Sequence, residues 1–396
     1  CIGLTMGGTV AAAQYKGAGD EKGQRETVGT LFSIAFLAAI LVTAIGLSAY
    51  KPLFRMLNVP PEAMGDTCAY MKIICCGTVF VFGYNAVCSI LKGLGDSKSP
   101  LAFVAIAAAV NIVLDIILVG PFAMGTEGAA YATIASQGIS FMISVIHLKR
   151  RNSVFDFKFR HFAVKPDKMA AILKVGLPAA AQMAVVNISY LLITGMLNRF
   201  GVPVAAASGV GLKINTFAGM PCWAIGQAVT AMAGQNFGAN DIDRVRKTTK
   251  AGLYLNIIIT LLTVLLVQLF AKPIMMIFNP VNAEVISDGI LYLRICCGAN
   301  SLVYAVMYTF DSFAIGVGSA NIAMFNALLD AVIVRLPVSW LLAFTFGFGF
   351  PGIYIGQALS PIIPAIAGFL FFRGRRWENN RLIQQNREVS YDYERQ

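Results

Sequence analysis

Long stretches almost free of charge recur along this chain, and they constrain its fold more than any other feature. A helix needs about 20 consecutive apolar residues to cross a bilayer. Ten stretches reach that length: 30–50, 67–91, 99–120, 125–147, 171–198, 203–233, 250–270, 287–314, 322–345 and 350–373. Residues 1–14 read as the closing half of one more. The apolar runs are continuous rather than alternating, which excludes a strand barrel. Of 396 residues, 57% are hydrophobic and 13% charged, about half the charged share of a soluble domain. The chain is therefore expected to be an all-α polytopic membrane protein. A cytosolic enzyme, a disordered chain and a disulfide scaffold are excluded.

The net charge of +11 would suggest nucleic acid in a soluble protein. Here the basic residues gather in short loops beside apolar spans, so no nucleic-acid partner is expected. One set of loops carries Lys16, Lys22, Arg25, then Lys92 and Lys98, then Lys149, Arg150, Arg151, Lys158, Arg160, Lys165 and Lys168. It continues with Arg244, Arg246, Lys247 and Lys250, and with Arg373, Arg375 and Arg376. The opposite set has only Lys51, Arg55, Lys72, Arg199, Lys272 and Arg294. Basic loops stay in the cytoplasm, which fixes the orientation. Seven of the cysteines lie in apolar stretches (Cys68, Cys75, Cys76, Cys88, Cys222, Cys296, Cys297) and read as small apolar fillers. The two histidines, His147 and His161, form no metal motif.

The chain repeats itself. Gln14-Tyr15-Lys16-Gly17-Ala18-Gly19-Asp20 matches Gln235-Asn236-Phe237-Gly238-Ala239-Asn240-Asp241. The offset that carries Gln14 onto Gln235 also relates Lys51-Pro52 to Lys272-Pro273, Asn58 to Asn279, and Cys75-Cys76-Gly77 to Cys296-Cys297-Gly298. Later the register drifts, with Gly93-Leu94-Gly95 beside Gly316-Val317-Gly318. Both Gln-x-x-Gly-Ala loops fall on the basic side, so the copies share one orientation and form a parallel repeat. The expected organisation is an N-terminal lobe over 1–147, a cytoplasmic linker over 148–168, a C-terminal lobe over 169–373 and a cytoplasmic tail over 374–396. The segment 167–221 has no partner in the first copy, which implies a parent of twelve spans whose first span and part of the second are absent here.

Polar groups inside spans are costly, at least about 2.5–3.5 kcal/mol for an ionised group at a span centre, and are functional candidates for that reason. Asp115 is the sharpest. Asn111 stands four residues before it, on the same helical face. A desolvated carboxylate there can load a proton or bind Na⁺, with amide and hydroxyl oxygens as co-ligands. Alternatively it orders the lobe through a helix–helix hydrogen bond. Tyr70, Asn85 and Thr133 lie in neighbouring spans and serve equally well as interhelical glue. In the second lobe Gln182, Asn187, Lys213, Asn215, Asn326, Asp330 and Arg335 are candidates for a substrate cavity. At 100° per residue Asp330 and Arg335 stand about 140° apart and form no simple same-face pair. Lys213 can also snorkel. Asp311 sits near a cytoplasmic span end and is expected to reach water. Pro178 and Pro221 are expected to break or bend their spans. There is no His-Glu-x-x-His, no Gly-x-Ser-x-Gly and no Walker loop, so no enzyme activity is expected, and uphill transport must draw on an ion gradient or on another protein.

These motifs resemble the multidrug and toxic compound extrusion (MATE) family. The Gln-x-x-Gly-Ala loops, Gly93-Leu94-Gly95-Asp96-Ser97-Lys98-Ser99-Pro100, Asn111-Ile112-Val113-Leu114-Asp115, Gly176-Leu177-Pro178 and Gly226-Gln227-Ala228-Val229 are similar to family segments over nearly the whole chain. The resemblance implies two six-helix lobes that export cationic amphipathic drugs or xenobiotics in exchange for H⁺ or Na⁺, without another cofactor. It implies a monomer among the lipids of the bacterial cytoplasmic membrane. In DinF-like members a polar network of the N-lobe couples the ion, and Tyr70, Asn85, Asn111, Asp115 and Thr133 fall on the matching positions. The acidic residue of the seventh span in NorM-like members has no match in 171–198. The rival reading is a flippase for a lipid-linked sugar, which calls for a strongly basic cavity.

Overall fold

In the computed structural model, residues 1–56, 59–150, 162–379 and 382 are described. Asn58, the linker residues Arg151, Lys158, Arg160 and His161, and most of the tail lie outside them. Every regular element among the described residues is helical. Among the described residues eight helices are long and apolar enough to cross a membrane, or nine if one bent pair counts as a span. The chain divides into two compact units, Cys1–Gly176 and Leu177–Gln396.

The first unit contains α1 (Ile2–Gly17), α2 (Glu21–Met56), α3 (Pro61–Gly93), α4 (Lys98–Val119), α5 (Gly125–Arg150) and the start of α6 (Pro166–Leu197). Helix α3 packs against α1, α2 and α5, and α4 packs chiefly on α5. Val28, Leu31, Phe32 and Ala35 of α2 meet Ala86, Val87, Ile90 and Leu91 of α3 in the core. Outward, α2 exposes Leu37, Leu41 and Ile45, and α4 exposes Leu101, Ile112 and Ile116. Apolar faces this long are unfavourable in water and suit acyl chains.

The second unit holds the rest of α6, α7 (Val202–Gly238), α8 (Ile242–Leu269), α9 (Ala271–Phe278), α10 (Ala283–Cys296) and α11 (Ala299–Gly316). These are followed by α12 (Ala320–Leu328), α13 (Leu336–Trp340), α14 (Gly349–Leu359) and α15 (Ile362–Arg373). The breaks expected at Pro178 and Pro221 are not found, for α6 and α7 run through both prolines. A bend of 46° lies between α10 and α11, at Cys297-Gly298.

The repeat holds at the level of single contacts. Thr9 Oγ1 donates to the Ser89 carbonyl at 3.1 Å, and Thr230 Oγ1 to the Ser312 carbonyl at 2.9 Å. A Cβ added to Gly93 would lie 2.5 Å from the Thr9 carbonyl oxygen, and one added to Gly316 would lie 2.6 Å from that of Thr230. In both units glycine is required because two backbones cross in contact. Asp20 Oδ1 accepts from the Gly23 amide and Asp241 Oδ1 from the Arg244 amide, at 2.8 and 2.9 Å, and each caps the next helix. Gly19 and Asn240 share the left-handed conformation, φ +70° and +62°. Register drift has a physical cause too. α3 passes through Cys75-Cys76-Gly77 unbroken, whereas the second copy bends at Cys297-Gly298 and absorbs extra chain before Ser312.

Candidate functional site: buried polar groups in each unit

Asn111 and Asp115 lie on α4, half-buried, one helical turn apart. Asn111 Nδ2 and Asp115 Oδ1 are shielded from solvent and have no hydrogen-bond partner among the described residues. Thr133 stands on α5, packed against α4. A Cβ on Gly128 of α5 would meet Leu118 of α4 at 3.2 Å, and counted from that contact Asp115 and Thr133 lie at similar depths, about 3 Å apart along the helices. Thr133 Oγ1 nevertheless donates to the Ala129 carbonyl at 2.9 Å, and Asn85 Nδ2 on α3 to the Val81 carbonyl at 2.8 Å. Both are ordinary i−4 bonds within their own helices. Tyr70 is 39% exposed. It shares α3 with Asn85 but stands roughly four turns away, about 22 Å along the axis. No hydrogen bond joins the five residues among the described contacts. The structure sets Asn111 and Asp115 one turn apart on α4, with Thr133 at a similar depth on α5, and separates Asn85 from Tyr70 along α3.

In the second unit Asp330 and Arg335 are 2% and 4% exposed. Contrary to the helical-wheel expectation, they pair directly, Arg335 Nη2 to Asp330 Oδ2 at 2.5 Å. The reason is local winding. Residues Leu329–Arg335 form a π-helical segment, in which hydrogen bonds join residues five apart. Arg335 Nε also reaches Ser360 Oγ at 3.4 Å, and the guanidinium covers the Tyr190 ring at 4.7 Å. The other cavity candidates are dispersed. Gln182 is half-buried, Lys213 is exposed, and Asn187 is exposed and bonded to the Met183 carbonyl at 2.7 Å. Asn215 Oδ1 accepts from Cys297 Sγ at 3.3 Å.

Several polar groups escaped the sequence reading. Asp311 does not reach water. It is 2% exposed and accepts from Asn326 Nδ2 at 2.6 Å. Lys168 is no free linker cation. It is 8% exposed, donates to Tyr15 Oη at 2.7 Å, lies 2.9 Å from Asp167, and rests over the Tyr15 ring at 4.4 Å. Asn256 is fully buried, with Nδ2 3.0 Å from Thr309 Oγ1. Tyr304 and Tyr308 stack with 14° between ring planes, and Trp223 Nε1 donates to Tyr304 Oη at 3.2 Å. An Asp–Asn pair drawn from two different helices, and a Lys–Tyr pair from opposite ends of the first unit, carry no periodic signal. All eight cysteines are free, and Cys75, Cys88, Cys222, Cys296 and Cys297 are buried, which suits the filler role.

A family model described as MatE matches residues 1–117 and 178–341. The chain is 29% identical over 393 residues to the probable multidrug resistance protein YpnP of Bacillus subtilis, covering 97% of this chain and 85% of that one. It is 27% identical to the probable multidrug resistance protein NorM of Thermotoga maritima, covering 98% and 83%. Among solved structures, an outward-facing multidrug resistance MATE family transporter of the MOP superfamily aligns with a TM-score of 0.89 at 22% identity, over 94% of this chain and 83% of that one. A MOP superfamily transporter from Pyrococcus furiosus aligns equally well, with a TM-score of 0.89, 22% identity and the same coverage. With two units built from one repeated set of helix crossings, and a family match over most of its length, the chain belongs to the MATE family of multi-pass membrane transporters.

Proposed function

We propose that this protein is a secondary antiporter that expels cationic amphipathic compounds in exchange for H⁺ or Na⁺, with Asp115 as the ion-binding group. One observation carries this reading: Asp115 Oδ1 and Asn111 Nδ2 are buried one turn apart with no partner among the described residues. A buried polar atom left unpaired costs about 1–3 kcal/mol, more when charged. A proton on the carboxyl group, or a small cation held by the carboxylate, relieves that cost at Asp115. Thr133, at a depth similar to that of Asp115, is placed to add a hydroxyl ligand by releasing its i−4 bond.

The ion drives transport only if it binds one conformational state more tightly than the other. Asp115 fits that requirement because its environment depends on how α4 and α5 pack. A shift in the packing alters both the solvation and the available ligands of the carboxylate. The multidrug names of the relatives support a drug or xenobiotic as substrate. Against transport of a lipid-linked sugar stands the electrostatics of the second unit. Arg335 is neutralised by Asp330, and Lys213 is exposed. Arg335 therefore offers no bare charge to a pyrophosphate, and Lys213 alone makes no strongly basic cavity.

The test is efflux of an ethidium-like cation from proteoliposomes under a pH gradient and a Na⁺ gradient imposed separately. One gradient is expected to drive efflux and the other not. Absence of efflux under both, with retained flipping of a lipid-linked precursor, would replace this reading with its rival.

A further inference from the structure

In the last part of the second unit the buried positions recur every four residues: Ala327, Ala331, Arg335, Ser339 and Ala343 are at most 4% exposed. An α-helix cannot keep such a face. Four residues overshoot one turn by about 40°, and four such steps drift about 160°. The span keeps its face by winding wider. It is π-helical over Leu329–Arg335 and again over Leu341–Thr345, with α13 between.

This winding places Ser339 in a notch on α14. Ser339 Oγ donates to the Ile353 carbonyl at 3.2 Å. Gly356 closes on Ser339, and a Cβ at Gly352 would meet the Ala343 amide at 2.8 Å. A register one residue away would bring Val338 or Trp340 into a space that fits a serine against glycine. The ion pair Asp330–Arg335 bridges the ends of the first π segment. It is buried yet half satisfied, since among the described residues Asp330 Oδ1 and Arg335 Nη1 have no partner, and neither has Gln357 Nε2 on α14. A buried polar cluster satisfied in part is poised to re-pair, and single π turns inside α-helices often coincide with functional positions.

We propose that the Asp330–Arg335 pair is a register clasp: it holds this span in π winding, and its opening, which lets the span rewind as α-helix, is a conformational step of the transport cycle. The clasp stands on the geometry alone, and the cycle role rests on the transporter reading above. Packed helices switch between discrete arrangements rather than deforming continuously, and two windings of one span meet that requirement.

The test uses the full chain in lipid nanodiscs and proteoliposomes. Hydrogen exchange is read over residues 329–339, with α8 as the internal reference. Asp330→Asn and Arg335→Gln are each expected to speed exchange there at least ten-fold, and the reversed pair, Asp330→Arg with Arg335→Asp, to slow it again. Unchanged exchange in both single variants overturns the clasp. Should a lone buried charge prevent folding, recovery of folded protein in the reversed pair supports the clasp, and failure to recover overturns it. The cycle role is read by deleting Val332, a half-exposed residue of the π segment, which returns the segment to α winding. Drug binding is expected to persist while gradient-driven efflux falls ten-fold or more. Efflux within two-fold of the parent protein overturns the cycle role. A parent protein without efflux under any gradient removes the transporter reading and the cycle role together, and hydrogen exchange still decides the clasp.

Discussion

Substituting Gly93 and Gly316 by alanine, one at a time, probes the crossing that the two units share. In each case the new methyl carbon would lie 2.5 or 2.6 Å from a carbonyl oxygen, that of Thr9 or Thr230, and 3.2 Å from the Cβ of Ala12 or Ala233. The obstacle is backbone and a neighbouring alanine, so no flexible side chain can swing aside. Overpacking of this kind costs about 1–3 kcal/mol. The same shift also stretches the Thr9–Ser89 or Thr230–Ser312 bond, which adds about 0.5–1.5 kcal/mol. At roughly 2–4 °C per kcal/mol for units of this size, each variant should melt several degrees lower in detergent, by similar amounts. Gly195→Ala is the control: its Cβ would meet nothing within 4 Å, and its melting midpoint should stay level or rise. The assay is thermal melting followed by size-exclusion fluorescence. If either glycine variant melts with the parent protein, or only one of the two is destabilised, the equivalence of the crossings is wrong.

Three further outcomes are expected. Trp377, 1% exposed and packed edge-to-face with Phe313 at 4.9 Å, should lose about 3–5 kcal/mol of stability as Trp377→Ala, seen as a lower melting midpoint. Tyr15→Phe removes one acceptor of the buried Lys168 ammonium and leaves Asp167 in place, so it should cost about 0.5–1.5 kcal/mol, read as a lower melting midpoint. Lys213→Ala, at an exposed position, should leave melting within about 0.5 kcal/mol of the parent, and unchanged drug binding would remove Lys213 from the cavity.

Much of the architecture was legible because membrane spans and duplications write themselves in long, simple patterns. The offset that links Gln14 to Gln235 also links Thr9 to Thr230, and the structure places those two threonines in equivalent bonds. The pairing of Asp330 with Arg335 was not legible to a 3.6-residue wheel, because the span winds wider there. The signal existed in the small residues Ala327, Ala331, Ser339 and Ala343, spaced by multiples of four. On α4 the shared face of Asn111 and Asp115 followed from spacing. That Asn85 and Thr133 turn to their own helix could not follow, since an i−4 carbonyl is available to such side chains in every helix. The burial of Asp311 and Lys168 carries no sequence signal, because their partners, Asn326 and Tyr15, are fixed by tertiary packing.

The most direct test of ion coupling at Asp115 is counter-ion movement driven by drug in proteoliposomes, measured for the parent protein and for Asp115→Asn. The account predicts that an imposed drug gradient moves H⁺ or Na⁺ the opposite way in the parent protein, and that Asp115→Asn still binds drug and melts normally but moves no counter-ion. Counter-ion flux at the parent rate in Asp115→Asn would contradict it and place the coupling group elsewhere.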